Sequence, residues 1–261
     1  MQYVEVKISA DKAYCLPIGD IHWGDKAFKK SGGFEKLKKN LEWLEEHQDH
    51  AFGVLMGDIY NVAGRDTKTN PFDSSSDEYD EAAEFFKAYG HLFKGAIAGN
   101  HEQRIRNAYG LDPLKQFCAI AKIPYLGTSA LIRIQVGARP AAPSAASWFW
   151  QNYYMAIHHT TGGGGTLGNA LNAVAKLENV IVGCDVYAGG HNHQLVSGTR
   201  LKFVPTPGGI ARRKIHYVSC GAYLGYEDSY AEEKMFPPGK LGSPRIRFSG
   251  LRDKHDVHVS L

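Results

Sequence analysis

Five short apolar runs in this chain each stop at a residue able to bind a metal ion. Cys15-Leu16-Pro17-Ile18-Gly19 leads into Asp20-Ile21-His22, and Val54-Leu55-Met56-Gly57 into Asp58-Ile59-Tyr60-Asn61. Residues 93–98 lead into Gly99-Asn100-His101-Glu102, residues 155–157 into His158-His159, and residues 187–190 into His191-Asn192-His193. Runs of this length and composition read as strands. In α/β folds ligands bind beyond the carboxyl ends of the strands, so the five termini are expected on one side of a sheet. In extended chain residues i and i+2 share a face, which would let Asp20 with His22, and His191 with His193, each present two ligands to one point.

The segments between these runs set the fold class. Residues 33–47 carry Phe34, Leu37, Leu41 and Leu44 at helical spacing, and residues 78–89 read as a second helix with N-cap candidates in Ser74-Ser75-Ser76-Asp77. This βαβα order favours helices packed on a largely parallel sheet. After about residue 125 the chain turns β-rich, with strands expected over 131–136, 148–157, 186–189, 194–204 and 210–218 and one helix over 167–177. The expectation is α/β (α+β). Residues 138–147 read as a surface loop and 236–244, with three prolines and two glycines, as another.

With 261 residues, 43% of them hydrophobic and 22% charged, the chain can bury a core of its own and is expected to form a single domain over 1–261. A net charge of +3 is too small to predict a nucleic-acid coat or a membrane-surface protein, so any nucleic-acid role needs local evidence. Residues 1–12 have no basic leader followed by an apolar run, and no window approaches the roughly 20 apolar residues of a membrane helix. A soluble, cytoplasmic protein is expected, with no membrane partner. Cys15, Cys118, Cys184 and Cys220 form no C-x-x-C pair, which argues against a thiolate zinc site and gives no disulfide framework.

The candidate ligands are therefore Asp, His and Asn. Mixed oxygen and imidazole donors suit Mn, Fe, Zn, Ni or Co, with Mn favoured, rather than calcium or a structural zinc. Seven candidates are too many for one ion and suit two, provided one carboxylate is shared. Asp58 is the natural bridge, because the preceding Gly57 lets the backbone turn sharply. Two divalent ions set against two carboxylates and a bridging hydroxide leave about one net positive charge, which attracts phosphate. Ions roughly 3.5–4 Å apart can acidify a bridging water and clamp phosphate oxygens during in-line attack.

Together Asp20-x-His22, Gly57-Asp58-x-x-Asn61, Gly99-Asn100-His101-Glu102, the histidine at 158 or 159 and Gly190-His191-x-His193 resemble the motifs of the calcineurin-like metallophosphoesterases. The resemblance implies a two-sheet β sandwich flanked by helices, with a dinuclear metal centre at its edge. It implies Asp20, His22 and His193 on one metal, Asn100, His158 and His191 on the other, and Asp58 between them. It places His101 opposite the leaving group and Asn61 behind the ligands. His158 is preferred to His159 because it directly continues the strand, and adjacent strand residues point to opposite faces. Glu102 reads as a first-turn carboxylate that accepts backbone N–H groups.

The implied activity is hydrolysis of phosphoester bonds, as a phosphodiesterase or phosphatase, with a metal-bridging hydroxide as nucleophile and a small molecule or nucleic acid as substrate. One alternative is an Mre11-like nuclease, since Asp20-Ile21-His22-Trp23-Gly24 resembles the first motif of those enzymes. Only about 68 residues follow His193, which leaves no evident DNA-capping domain. A Ser/Thr protein phosphatase is disfavoured because the arginines such enzymes carry in the Gly-Asp and Asn-His motifs are absent. A non-catalytic metal-binding scaffold is the alternative of another class, and the complete ligand set argues against it. Gly162 to Gly165 lacks the lysine of a phosphate-binding loop. Arg104, Arg106 and Arg212-Arg213-Lys214 read as solvated surface, and Trp148, Phe149, Trp150, Tyr153 and Tyr154 as mainly core.

Overall fold

A computed structural model describes residues 1–61, 75–137, 149–162, 166–227, 232, 235, 237–252 and 254–261. The chain begins β1 (Gln2–Ile8), β2 (Lys12–Ile18), α1 (Lys26–Lys30), α2 (Gly33–Glu46), β3 (Ala51–Leu55), α3 (Ser75–Lys87), β4 (Phe93–Ala96), α4 (Asn100–Tyr109) and α5 (Pro113–Ala121). It continues β5 (Ser129–Val136), β6 (Gln151–His158), α6 (Leu167–Ala175), β7 (Val186–Gly189), β8 (Leu195–Thr206), β9 (Gly209–Cys220), β10 (Arg245–Ser249) and β11 (Val257–Ser260). Ser74, the loop at 138–147, Trp148, Gly163 to Gly165 and Phe236 lie outside the described residues.

Two mixed sheets face each other, one ordered β1-β5-β6-β7-β9-β8 and the other β11-β10-β2-β3-β4. Side chains from both inner faces, among them Val54, Met56, Ile132, Met155, Ile157 and Val218, form one buried cluster between them. A second cluster lies under α2, α3 and α5, where Leu37, Leu41 and Leu44 of α2 and Phe117 of α5 meet Leu16, Ile18 and Leu55. A third joins α6 to Tyr187 and Tyr217 on the outer face of the six-stranded sheet. The result is the expected sandwich of two sheets flanked by helices. No helix among the described residues is long and apolar enough to cross a membrane.

The parallel core of the second sheet, β2-β3-β4, follows from sequence: Ala51–Leu55 is buried at every position, as a strand covered on both faces must be. The largely parallel expectation fails at the edges. β1 leaves to pair with β5 of the other sheet, and β10 runs antiparallel to β2. β10 and β11 were not expected, because Arg245-Ile246-Arg247-Phe248 is an apolar alternation only four residues long. Within the first sheet β6 and β7 run parallel, so their carboxyl ends point the same way. Contacts across the sandwich place that end beside the ends of β2 and β3, where His159 Nδ1 donates to the Met56 carbonyl at 2.7 Å.

Candidate metal centre

Beyond β2 and β3 the two chains stay parallel as loops. The N–H groups of Asp20, His22 and Trp23 donate to the carbonyls of Gly57, Asp58 and Ile59 at 3.0, 3.0 and 2.7 Å. Here the backbone is strained: Asp20, His22, Asp58, His191 and His193 hold φ of 51°, 53°, 48°, 77° and 53°. Left-handed non-glycine residues cost about 1–3 kcal/mol each and persist where the surroundings over-determine them. Here the surroundings are other loops. A Cβ on Gly57 (φ 90°) would lie 2.4 Å from Gly99 N, and one on Gly99 would lie 2.1 Å from Asp58 Oδ1, so two glycines let the β3 loop and the start of α4 touch.

Glu102 fastens that contact. Its buried carboxylate accepts from the N–H groups of Asp58, Ile59, Tyr60 and Gly99 at 3.0, 2.8, 3.2 and 2.8 Å. It caps its own helix as expected and also holds the loop that presents Asp58. Glu78 of α3, fully buried, takes the Asn61 N–H at 2.7 Å. Sequence gave no sign of that role for Glu78, because nothing local connects α3 to Asn61.

Three overlapping groups of donor atoms, each with its atoms within 4.8 Å of one another, arise among the described residues: Asp20, His22 and His193; His22, Asp58 and His101; Asp58, His159 and His191. Asp58 and His22 link them into one cluster. His22 Nε2 lies 3.0 Å from His193 Nε2, and His193 Nε2 lies 3.3 Å from Asp20 Oδ1. On the other side His159 Nε2 lies 3.1 Å from Asp58 Oδ2 and 3.0 Å from Asn100 Oδ1, and His191 Nδ1 lies 2.7 Å from Asn100 Oδ1. The His191 N–H donates to both Asp20 oxygens at 3.0 Å, tying the loop after β7 to the loop after β2.

The structure places His158 and His159 on opposite faces of β6. Tyr153, Met155 and Ile157 point into the core between the sheets, so His158 turns toward the opposite face, where its Nδ1 accepts from Thr160 N at 2.8 Å. His159, just past the strand end and buried, reaches the cluster instead. The parity of those three apolar residues carried this signal. The idea that His191 and His193 converge on one point also fails: the strand has ended, and left-handed turns send His191 to Asn100 and His193 to His22. Asp20 and His22 do converge, through the same kind of turn.

His101 sits at the first turn of α4. Its backbone N–H donates to Asp58 Oδ1 at 2.9 Å, its Nδ1 donates to the Asn61 carbonyl, and its Nε2 lies 3.9 Å from Asp58 Oδ2. Asn61 thus supports the site through its backbone oxygen. Arg104, three residues on, is exposed.

Buried charges in close company shift each other. Burial alone would raise the Asp58 pKa, but His159, His101 and His22 hold its carboxyl well below the usual range. Burial would lower His159, yet Asp58 and Asp20 raise it to about 10. Burial and the neighbouring His101 and His193 push His22 well below its ordinary value. Burial and Asp58 raise Glu102.

Fit to a cation can be judged from these contacts. The His159 Nδ1 proton is committed to Met56, so its Nε2 lone pair faces two oxygen acceptors, Asp58 Oδ2 and Asn100 Oδ1. Two imidazole nitrogens meet at His22 and His193, and the buried His22 Nδ1 has no hydrogen-bond partner among the described residues. Lone pairs aimed at lone pairs need protons or cations between them. The donor set fits a metal.

A model of the calcineurin-like phosphoesterase family matches residues 16–195, which include every member of the cluster. Curated protein sequences contain no significant match to the chain. Among solved structures it is similar to the NAD nucleotidase of Haemophilus influenzae, with TM-score 0.43 and 12% identity over 97% of this chain and 50% of that one. It thus spans about half the length of that relative. A conserved Streptococcus pneumoniae protein described as a predicted phosphoesterase gives TM-score 0.32 and 10% identity over 96% and 95% of the two chains. A candidate diadenosine tetraphosphatase gives 0.36 and 12% over 100% and 98%. With its motifs gathered at one end of the sandwich and the family model covering them all, the chain belongs to the calcineurin-like phosphoesterases.

Proposed function

We propose that the chain cleaves phosphoester bonds at a pair of divalent transition-metal ions, one held by Asp20, His22 and His193, the other by Asn100, His159 and His191, with Asp58 shared. The supporting observation is the convergence of these seven side chains, with Asp58 Oδ2 3.1 Å from His159 Nε2 and Asp58 grouped with His22 on its other side. Such ions, when bound, supply a Lewis-acidic clamp for phosphoryl oxygens and an acidified water as nucleophile.

The protein's own residues do the rest. Met56 fixes the His159 tautomer, Glu102 holds the Asp58 loop and the first turn of α4 in one place, and Asp20 is held by the His191 N–H. His101, anchored through Nδ1 on the Asn61 carbonyl, keeps Nε2 toward the site, where it can give a proton to the departing alkoxide oxygen. Diesters and monoesters, small or polymeric, share this chemistry, and Mn²⁺ is the first metal to supply.

Metal analysis after loading tests the centre. Close to two ions per chain is expected, falling in Asp58→Asn. One ion or fewer, unchanged by that substitution, would sink the two-metal reading. Turnover of aryl mono- and diesters, cyclic nucleotides and DNA with Mn²⁺ then assigns the substrate class and separates phosphatase, phosphodiesterase and nuclease. No turnover of any of them would favour a binding role.

A further inference from the structure

The hairpin of β8 and β9 extends well past the body of the sandwich. Each strand has 12 residues, about 36 Å end to end at 3.3 Å per step, while their neighbour β7 has four. Leu201, Phe203 and Ile210 on this arm are 69, 70 and 77% exposed. Residues 195–220 contain five Lys or Arg and no Asp or Glu, whereas the rest of the chain has 25 Lys or Arg against 27 acids. The arm is a basic element on an otherwise slightly acidic molecule.

Its two faces are treated differently. On one, Lys202 pairs with Glu178 and Arg213 with Asp185 at 3.1 Å, so the body neutralises them. On the other, the register sets Leu201 opposite Lys214 and Phe203 opposite Arg212, and neither cation has an ion-pair partner among the described residues. Arg212 lies 5.9 Å over the Phe203 ring. Arg212, Arg213 and Lys214 also line a cleft of about 240 Å³, together with His255 and the acids Asp185 and Asp256.

We propose that this face is a docking surface for nucleic acid, the cations taking backbone phosphates and Phe203 contacting bases or sugar. Charge complementarity selects that occupant: unpaired cations interleaved with an exposed aromatic suit a polyanion carrying π faces. β8 is an edge strand and could pair with a second copy, but two arms without an acidic residue would bring like charges together. The arm leads away from the metal cluster, since β8 starts two residues after His193 and runs outward. The inference therefore stands apart from the reading of the metal centre.

The test is fluorescence anisotropy with labelled single- and double-stranded DNA of about 20 nucleotides or base pairs, in chelator so that turnover plays no part. Binding should weaken steeply from about 50 to about 200 mM salt. Arg212→Gln with Lys214→Gln should reduce affinity about 10-fold or more at low salt and lower the salt slope by up to about two. Both variants should keep aryl-ester turnover, because neither residue is near the metal cluster. Phe203→Ser should weaken the single strand more than the duplex. No binding at low salt, or binding unchanged in the double variant, overturns the proposal. So does self-association of the intact protein that Phe203→Ser abolishes, which would assign the arm to a second copy.

Discussion

His158 and His159 differ by one step of the chain and by a whole face of the sheet. If His159 is the ligand, His159→Ala loses one metal and nearly all activity, while His158→Ala keeps both metals and loses only what Thr160 contributes to the turn. Metal content per chain decides it, and the opposite pattern would mean that the register of β6 shifts when metal binds. His101→Ala belongs to the same scale. Its expected effect is a fall in kcat of roughly 10²-fold on esters with poor leaving groups, and little on activated aryl esters, at unchanged metal content. Loss of metal together with activity would instead make His101 a ligand.

Among elements, the contact between β3 and α4 is the tightest joint of the site. Gly57→Ala forces a side chain into left-handed backbone and against Gly99, for an expected loss of about 2–5 kcal/mol in urea unfolding together with impaired metal binding. Unchanged stability would show that the loop can retreat without cost. β2 to β9 and the helices α2, α3 and α6 were legible from period and length, because their apolar residues are local and numerous. α5 was not, and of α4 only the first turn was legible, through Glu102 as a first-turn carboxylate.

Across the whole molecule, the metal site is also a store of buried charge. In metal-free protein the His159 pKa lies near 10 rather than its ordinary 6.5, so its proton contributes stability that is fully present below about pH 6.5 and is lost as pH rises toward 10. A bound cation takes over the role of that proton and is favoured as pH rises. The gap in Tm between metal-loaded and chelated protein should therefore widen between about pH 7 and pH 9 in thermal melts. A constant gap would show that no proton is displaced on binding.

Sequence by itself determined the order of strands and helices and the motif residues at the strand ends, and those motifs carried the resemblance that implied the family and its two-sheet sandwich. These rest on short-range facts: strand-length apolar runs, a polar residue at each end, and glycines where the chain must turn. Tertiary structure decided which of two adjacent histidines faces inward, because the face of β6 that is interior depends on the second sheet lying over it. It also decided that Glu102 serves two loops at once, and that β10 and β11 close the edge of the second sheet. Each of these depends on contacts between residues tens of positions apart, and local pattern carries no record of such distances.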